Sequence, residues 1–523
     1  MKTKKDHPPK TFSFAKPATW LATEKRNWLV PGFLLLPLFY FAMSKSRGPF
    51  LARLGLGLAS LLLGWSIARS PRWKAFAERM EPFWKNNFCL AAVVILYMVA
   101  VLGLLPRAYR TNDDINILLD IQGRYATSYM SLVLGRCLSF LYGLAPSFPF
   151  YGIFLYFIHA CSLFLFIKTF SRLRNFRARF PFFLIAYLSL YTPFLMQVSY
   201  NHAAFMIGVN ALMYGASRLM EGERRTVVFL MSGLPFAFGF LVRKQVLLGA
   251  LLFSAVIFAW LLIRDKRSWR ALAVFFVPAV LMISAETLTV RYGVSETYKT
   301  FQRFNSLRGR VHGFPILNRN KNNSRLLAAN GWMKNDMTVF RKWFFLNERK
   351  FNETTMRNFF IEGRRGPAIR PKDALSTAGD FIDQYPIQIF FLLSLAVLMV
   401  FFARFKESKW VLLNALYNFF GMFTMALVAR FPSYIGEPLF LLLLGSTVLF
   451  IFNGRANAEP RTPKSRPLFA FFIACSLAVL SFNGLGLARK AGYLTSQLKK
   501  ERAISQKMNT VYSGALFLVQ PIS

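Results

Sequence analysis

Long uncharged apolar stretches recur along this chain and restrict what it can fold into. A helix needs about 20 apolar residues to cross the ~30 Å hydrocarbon layer of a bilayer. Thirteen stretches approach that length, and they lie at 27–44, 50–68, 88–105, 149–167, 181–199, 202–218, 226–242, 245–263, 271–290, 386–403, 410–429, 434–452 and 467–487. The pattern predicts an all-α integral membrane protein with about 13 transmembrane helices. A shorter apolar stretch at 129–145 predicts an interfacial or re-entrant helix.

The charged residues lie mostly between these stretches. Of 523 residues, 65 are Lys or Arg and 23 are Asp or Glu, which gives a net charge of +42. Only 17% of residues are charged, compared with ~25% in a typical soluble protein. This composition excludes a disordered chain and a basic soluble nucleic-acid-binding protein. We therefore expect membrane lipids, and no nucleic acid, among the partners.

The distribution of Lys and Arg predicts the orientation. With the N-terminus in the cytoplasm, the short cytoplasmic segments hold 30 Lys or Arg and the short opposite loops hold 8. Cytoplasmic loops carry the excess of basic residues in membrane proteins. The predicted parts are a basic cytoplasmic tail (1–26), a transmembrane hairpin (27–69), a membrane core with an acidic first loop at 107–130 (88–290), a large extracytoplasmic cap (291–385), C-terminal transmembrane helices (386–487) and a tail (488–523).

An acidic pair, Asp113 and Asp114, lies in the first loop of the core, on the extracytoplasmic side. Adjacent carboxylates can bind a divalent cation such as Mg²⁺ or Mn²⁺, or one can act as a general base while the other raises its pKa. The alternative is an acidic N-cap for a helix that begins near Ile115. The residues leave both interpretations open, and one Asp can serve both purposes.

Arg243 and Arg430 end two apolar stretches on the same side as the acidic pair. Guanidinium groups suit bidentate binding of phosphate, so both are candidate phosphate ligands. An Arg at the end of a span can instead extend to the lipid headgroups. Their shared side favours at least one phosphate contact.

Further candidates lie near the outer surface. Glu286 is an acid within an apolar stretch. It can orient a nearby Arg or an acceptor hydroxyl, and the alternatives are a local ion pair or a water-exposed helix end. The cap, 291–385, interleaves 18 basic residues with aromatic ones, so it can hold a sugar or fold as a small helical domain around its own core. Within it, Trp332, Asn335 and Asp336 are candidate contacts for an acceptor, with helix capping as the alternative for Asn335 and Asp336.

Several motifs resemble those of a group of bacterial multi-pass proteins with the pattern of the GT-C glycosyltransferases. The motifs are Asn112-Asp113-Asp114, Gly123, Leu141-Tyr142, Pro149-Phe150-Tyr151, Phe304-Asn305-Ser306-Leu307-Arg308 and Gly331-Trp332-Met333-Lys334-Asn335-Asp336. In the simplest GT-C layout the acidic pair follows the first span, whereas here it follows the third. We interpret 27–69 as an added hairpin, which preserves the sidedness of the core.

The resemblance implies a GT-C-like fold and an enzyme of the bacterial inner membrane. Such an enzyme moves a sugar, with inversion, from a polyprenyl-phosphate donor to a glycan or lipid acceptor of the cell envelope. It implies Asp113 or Asp114 as general base or metal ligand, with Arg243 and Arg430 near the donor phosphate. No cofactor is expected with certainty; a divalent cation bound by the acidic pair is the open possibility.

Other functions remain open at this point. A transporter or flippase for lipid-linked glycans needs charged groups deep within its spans, whereas Arg243, Glu286 and Arg430 lie near span ends. An O-antigen polymerase relies on arginines and does not require the acidic pair. A non-catalytic envelope-assembly protein tolerates the loss of Asp113.

Overall fold

The computed structural model describes residues 71–125, 127–173, 176, 179–313, 327–341, 349–364, 389, 405–428, 433–452 and 466–511. These residues are mostly helical, in agreement with the predicted all-α class. The helices are α1 (Pro71–Arg79), α2 (Glu81–Lys85), α3 (Asn87–Leu104), α4 (Asn112–Gln122), α5 (Leu132–Leu144), α6 (Phe150–Phe170), α7 (Phe180–Met196), α8 (Tyr200–Met220), α9 (Thr226–Phe253), α10 (Ala255–Arg264), α11 (Ser268–Tyr292), α12 (Glu296–Gly313), α13 (Lys334–Arg341), α14 (Glu353–Arg364), α15 (Phe405–Val428), α16 (Ser433–Phe452) and α17 (Arg466–Val511).

Within the described residues, five helices are long and apolar enough to cross a membrane. They are α3, α6, α9, α11 and the part of α16 from Ile435 to Phe452. This supports a membrane-embedded protein. The predicted stretches at 27–44 and 50–68 lie outside the described residues, as does 386–403 apart from residue 389.

The long helix α9 consists of two helices that meet at Arg243. The φ of −160° and ψ of 94° at this residue are extended and not helical. A Cβ atom on Gly239 would lie 3.3 Å from Cδ1 of Leu247, although eight residues of straight helix span ~12 Å. The chain therefore turns back sharply at Arg243, where the sequence predicts the boundary between 226–242 and 245–263.

Helix α8 lies at the centre of the core. Its side chains are buried along almost its whole length, and it packs against α6 and α9. A close approach between α9 and α11 depends on Gly233, because a Cβ atom there would overlap the carbonyl oxygen of Phe275. Small residues at these positions bring the helices together, as is common in membrane proteins.

The last described helix, α17, continues beyond the predicted span. The sequence predicts a span that ends at 487 and a tail at 488–523, but α17 is helical to Val511. Its 46 residues extend ~69 Å, more than twice the hydrocarbon thickness. Loss of apolar character ends a predicted span without ending a helix, and residues 488–511 contain no proline.

Two short strands, β1 (Ala108–Tyr109) and β2 (Gln197–Val198), connect the first loop to the segment between α7 and α8. They pair in parallel, with Ala108 opposite Gln197 and Tyr109 opposite Val198. The amide of Arg110 continues the contact by donating to the carbonyl oxygen of Val198, at 3.0 Å. The pairing places the start of α4 beside the start of α8.

A second apolar cluster lies in the segment that the sequence predicts as a cap. It is formed by Val311, Leu327, Trp332, Met337, Phe340, Phe351, Met356 and Phe359. This part of the chain has a small core of its own, separate from the main core.

Candidate functional site

The acidic pair lies in the first turn of α4. Thr111 is the N-cap residue, and its hydroxyl oxygen accepts a hydrogen bond from the amide of Asp114 at 3.3 Å. Asp113 and Asp114 follow in the first turn, where a negative charge is favoured by the helix dipole. The local sequence alone therefore explains an acidic residue here, but not which of the two is available for chemistry.

Asp114 is fully buried and engaged on both oxygens. Its Oδ2 accepts a hydrogen bond from the hydroxyl of Thr111 at 2.6 Å. Its Oδ1 accepts two more, from the hydroxyl of Tyr151 and the amide of Tyr200, both at 2.9 Å. Burial raises the pKa of Asp114 to about 6, although the three donors favour the charged form. Asp114 thus ties α4 to the starts of α6 and α8.

Asp113 is partly buried and faces different groups. The hydroxyl of Tyr200 donates to its Oδ2 at 3.3 Å. Burial raises the pKa of Asp113, while the positive charges of Arg243 and Arg308 and the Tyr200 hydroxyl act in the opposite direction. Asp113 is therefore a carboxylate in a partly dry site with two guanidinium groups nearby.

The two arginines are positioned by Tyr129. Arg243, at the turn in α9, donates to the carbonyl oxygen of Tyr129 at 2.7 Å, and its guanidinium lies over the Tyr200 ring, 5.2 Å from the centroid. Arg308, which is 9% exposed, bonds the hydroxyl of Tyr129 and the side chain of Asn305. Burial lowers the pKa of Arg308, and the nearby Tyr129 and Asp113 oppose that shift.

Helix α12 brings Arg308 to the site by packing on the first loop. The hydroxyl of Tyr298 donates to the carbonyl oxygen of Thr127 at 2.8 Å. About two turns along the helix, Nδ2 of Asn305 donates to the hydroxyl oxygen of Ser128 at 3.0 Å. These contacts hold the segment 127–129 between α12 and Arg243.

Glu286 lies at a different place, the start of α5. The hydroxyl of Ser131 donates to its Oε2, and the amides of Leu132 and Val133 donate to Oε1 and Oε2 at 3.0 and 3.3 Å. The carboxylate therefore satisfies backbone donors that the first turn of α5 leaves without helical partners. Its contacts are those of a helix cap, and the structure does not bring it to Asp113.

The three candidates of the predicted cap, Trp332, Asn335 and Asp336, make no contact with the acidic pair among the described residues. Trp332 is 3% exposed, packs in the second apolar cluster and donates its Nε1 proton to the carbonyl oxygen of Lys350 at 3.0 Å. Asp336 accepts from the amide of Met333 at 2.8 Å and pairs with Lys350 at 2.7 Å, which holds the pKa of Asp336 below its usual range. Asn335 is exposed on α13. The described contacts of Trp332 and Asp336 stay within the cap.

Of the predicted phosphate ligands, Arg243 lies at the site and Arg430 lies outside the described residues. Another arginine of the first loop, Arg110, forms a bidentate ion pair with Glu437, with N–O distances of 2.6 and 3.0 Å. This pair joins the first loop to α16.

The two carboxylates of the acidic pair differ in how much acceptor capacity they keep for a metal ion. Asp114 accepts two described protein donors on Oδ1 and one on Oδ2, whereas Asp113 accepts one. Divalent cations prefer several oxygen ligands. Within the part of the chain that the structure describes, no group of three or more His, Cys, Asp or Glu side chains is arranged for a metal ion.

Several site residues are not among the sequence candidates. Tyr151 and Arg308 belong to motifs that carry the resemblance, Pro149-Phe150-Tyr151 and the segment 304–308, so a signal for them is present in the sequence. Tyr129 and Tyr200 show no such signal, because each is an ordinary aromatic residue beside an apolar stretch.

Comparison with known proteins identifies no family for this chain. The chain matches no protein-family model, no curated protein and no solved structure. The function must be argued from the residues of the site itself.

Proposed function

We propose that this chain is a membrane glycosyltransferase of GT-C-like architecture, with about 13 transmembrane helices and an extracytoplasmic cap at 291–385. It transfers a sugar from a polyprenyl-phosphate donor to a cell-envelope acceptor on the outer side of a bacterial inner membrane. One observation carries the proposal: Asp113 is a partly buried carboxylate that faces Arg243 and Arg308. A site for an anionic donor and a hydroxyl acceptor needs this combination.

Asp113 acts as the general base in this proposal. The acceptor hydroxyl gives its proton to the Asp113 carboxylate while its oxygen bonds to the anomeric carbon of the sugar. The bond from that carbon to the phosphate oxygen breaks, and the electron pair leaves with the lipid phosphate. Attack opposite the leaving group inverts the anomeric centre. The raised pKa of Asp113 makes it a stronger base than an exposed aspartate.

Arg243 and Arg308 bind the donor phosphate in this proposal. Guanidinium groups form short charge-assisted hydrogen bonds with phosphate, and these strengthen as charge develops on the leaving group. An incoming phosphate would therefore meet two guanidinium groups on the same side of Asp113. Arg430 remains a third phosphate ligand on the sequence argument alone.

The other predicted residues have structural roles in this account. Asp114 orients the first turn of α4 through its three hydrogen bonds and so positions Asp113. Glu286 and Asp336 stabilise helix starts, and Trp332 fills the core of the cap. We assign none of these four a direct contact with the reacting atoms.

The test is a transfer assay beside a transport assay. Purified protein in liposomes is given synthetic polyprenyl-phosphate sugars and a panel of glycan and lipid acceptors, with and without Mg²⁺ or Mn²⁺. We expect a glycosylated acceptor with inverted anomeric configuration, and free polyprenyl phosphate in equal amount. Movement of a lipid-linked glycan across the bilayer without transfer would instead establish a flippase, and joining of donor glycans to each other a polymerase.

A further inference from the structure

A cavity of about 1040 Å³ lies on the side of α4 away from Asp113. Thr111 and Ile115 line it. Residues four apart share one face of a helix, whereas Asp113, two positions from each, lies on another face. The fully buried Asp114 lies between. The cavity is therefore separate from the Asp113 site, and its volume is at the upper end of the ~300–1,000 Å³ that ligand pockets occupy.

The lower part of the cavity is an apolar groove between two membrane helices. From α3 it is lined by Ile95, Met98, Val99 and Leu102, and from α6 by Ile153, Phe157 and Ala160. The lining on the α6 side runs from Pro149 to Ala160, which corresponds to ~16 Å of helix. This is about half of the ~30 Å hydrocarbon layer. The groove thus has the depth of one leaflet.

The upper end of the groove carries a cation. Arg107 lines it, is exposed, and forms no ion pair with any residue that the structure describes. Arg110 lines it too, but is paired with Glu437. Glu501 is the acid in the lining, and Tyr109, Gln197 and Gln497 add polar groups to it. The free positive charge at the groove mouth is complementary to an anion.

The part of α17 beyond the predicted span forms a third wall of the groove, in addition to α3 and α6. Tyr493, Leu494, Gln497 and Leu498 lie beyond the predicted span and form this wall. The wall offers a ligand the apolar side chains of Leu494 and Leu498 beside Tyr493 and the polar Gln497. The unexpected length of α17 therefore makes an open surface into a bounded groove.

We propose that this groove binds one anionic phospholipid of the extracytoplasmic leaflet. Its acyl chain lies between α3 and α6, and its headgroup phosphate pairs with Arg107. A zwitterionic headgroup carries its own cation beside its phosphate and therefore gains less from Arg107, and a soluble anion gains nothing from the apolar wall; an anionic lipid uses both. This proposal is independent of the proposed sugar transfer, because it concerns the opposite face of α4 and is tested by binding.

The experiment measures lipid retention by the purified full chain with native mass spectrometry, using palmitoyl-oleoyl phosphatidylglycerol and the matched phosphatidylcholine. We expect one phosphatidylglycerol to be retained in preference to phosphatidylcholine. Arg107→Gln should weaken this retention about tenfold, as expected for one charge-assisted hydrogen bond. Arg291→Gln, at an exposed arginine on the same predicted side, should leave it unchanged.

A matched pair of bulky substitutions tests the groove itself. Ile153 and Ile185 are 47% and 45% exposed on α6 and α7, and only Ile153 lines the cavity. Ile153→Trp should abolish selective retention, while Ile185→Trp should preserve it. A photoreactive amino acid in place of Phe157 should crosslink to phosphatidylglycerol.

Three results would overturn the proposal. Equal retention of both lipids, or equal loss in Arg107→Gln and Arg291→Gln, would mean that the protein carries only unselective boundary lipid. Crosslinks from position 157 to another part of the chain would mean that the protein fills its own groove. Displacement of phosphatidylglycerol by a polyprenyl-phosphate sugar would assign the groove to the donor.

Discussion

Helices α4 and α5 begin 20 residues apart in the same loop region and are capped in similar ways. At α5, the hydroxyl of Ser131 and the carboxylate of Glu286 take the first amides. At α4, the hydroxyl of Thr111 caps the helix and Asp114 fixes that hydroxyl. The difference is Asp113, which has no counterpart at α5.

The comparison separates structural acids from a candidate catalytic one. Capping and tertiary hydrogen bonds account for Glu286 and Asp114. They do not account for Asp113, whose neighbours are Tyr200, Arg243 and Arg308 from three other elements. Asp113 is a partly buried acid beside two cations that no structural role requires. Such an acid is a candidate functional residue, because groups with perturbed pKa values cluster at functional sites.

The largest effect should come from Asp113→Asn. This change removes the proposed base and keeps the shape of the side chain, so the turnover number should fall by about 10²–10⁴. The melting temperature should change little, because Asp113 makes one long hydrogen bond within the described part of the chain. The control is Asp120→Asn, which alters a partly buried acid two turns further along α4. A similar loss in both variants would contradict a special role for Asp113.

Asp114→Asn should change stability and its dependence on pH. The folded-state pKa of Asp114 is raised to about 6, so its contribution is fully present below the unfolded value near 3.8 and is lost as pH rises through about 6. That loss amounts to about 3 kcal/mol for a fully buried group. Melting curves from pH 4 to 7 should show the wild type losing stability more steeply than the variant. If wild type and variant lost stability equally over this pH range, the pKa of Asp114 would not be raised. Its carboxylate would then be more exposed to water than the structure shows.

Arg308→Gln should weaken donor binding. Loss of one charge-assisted hydrogen bond to phosphate costs ~1.5–3 kcal/mol, so KM for the donor should rise about 10- to 100-fold. The matched control is Arg303→Gln on the same helix, at an exposed residue that pairs with Glu353. If both variants bind a donor analogue as tightly as wild type does, Arg308 is not a phosphate ligand.

Glu286→Gln should have the smallest effect on chemistry. The amide oxygen can still accept one backbone proton, so we expect a loss of ~1 kcal/mol in stability and nearly unchanged transfer. Thermal unfolding and turnover measured on the same preparation check this. A loss of activity comparable to that of Asp113→Asn would show that the two acids are not functionally different.

The sequence predicts the helices around this site better than it predicts which residues form the site. Apolar stretches predict α3, α6 and the turn at Arg243, and the position of the acidic pair follows from them. The choice between Asp113 and Asp114 does not follow, because both suit a helix start and only tertiary contacts with Tyr151 and Tyr200 distinguish them. The partners of Glu286 lie about 155 residues away in the chain, and such pairs arise from packing.

Arg308 and α17 illustrate two further limits. The motif at 304–308 marks Arg308 as a residue of interest, but its contact with Tyr129 depends on how α12 packs on the first loop. For α17, apolar character predicts where a membrane span ends and carries no information on how far the helix continues.

The most direct measurement of the central claim is the pH profile of kcat/KM for sugar transfer in wild type and Arg308→Gln. If Asp113 is the base, transfer falls at acid pH because Asp113 becomes protonated. The positive charge of Arg308 lowers the pKa of Asp113. Arg308→Gln removes that charge, so the acid limb of the profile should move to higher pH. A shifted limb, absent in Asp113→Asn, is the result that we predict. An acid limb at the same pH in both proteins would contradict the account.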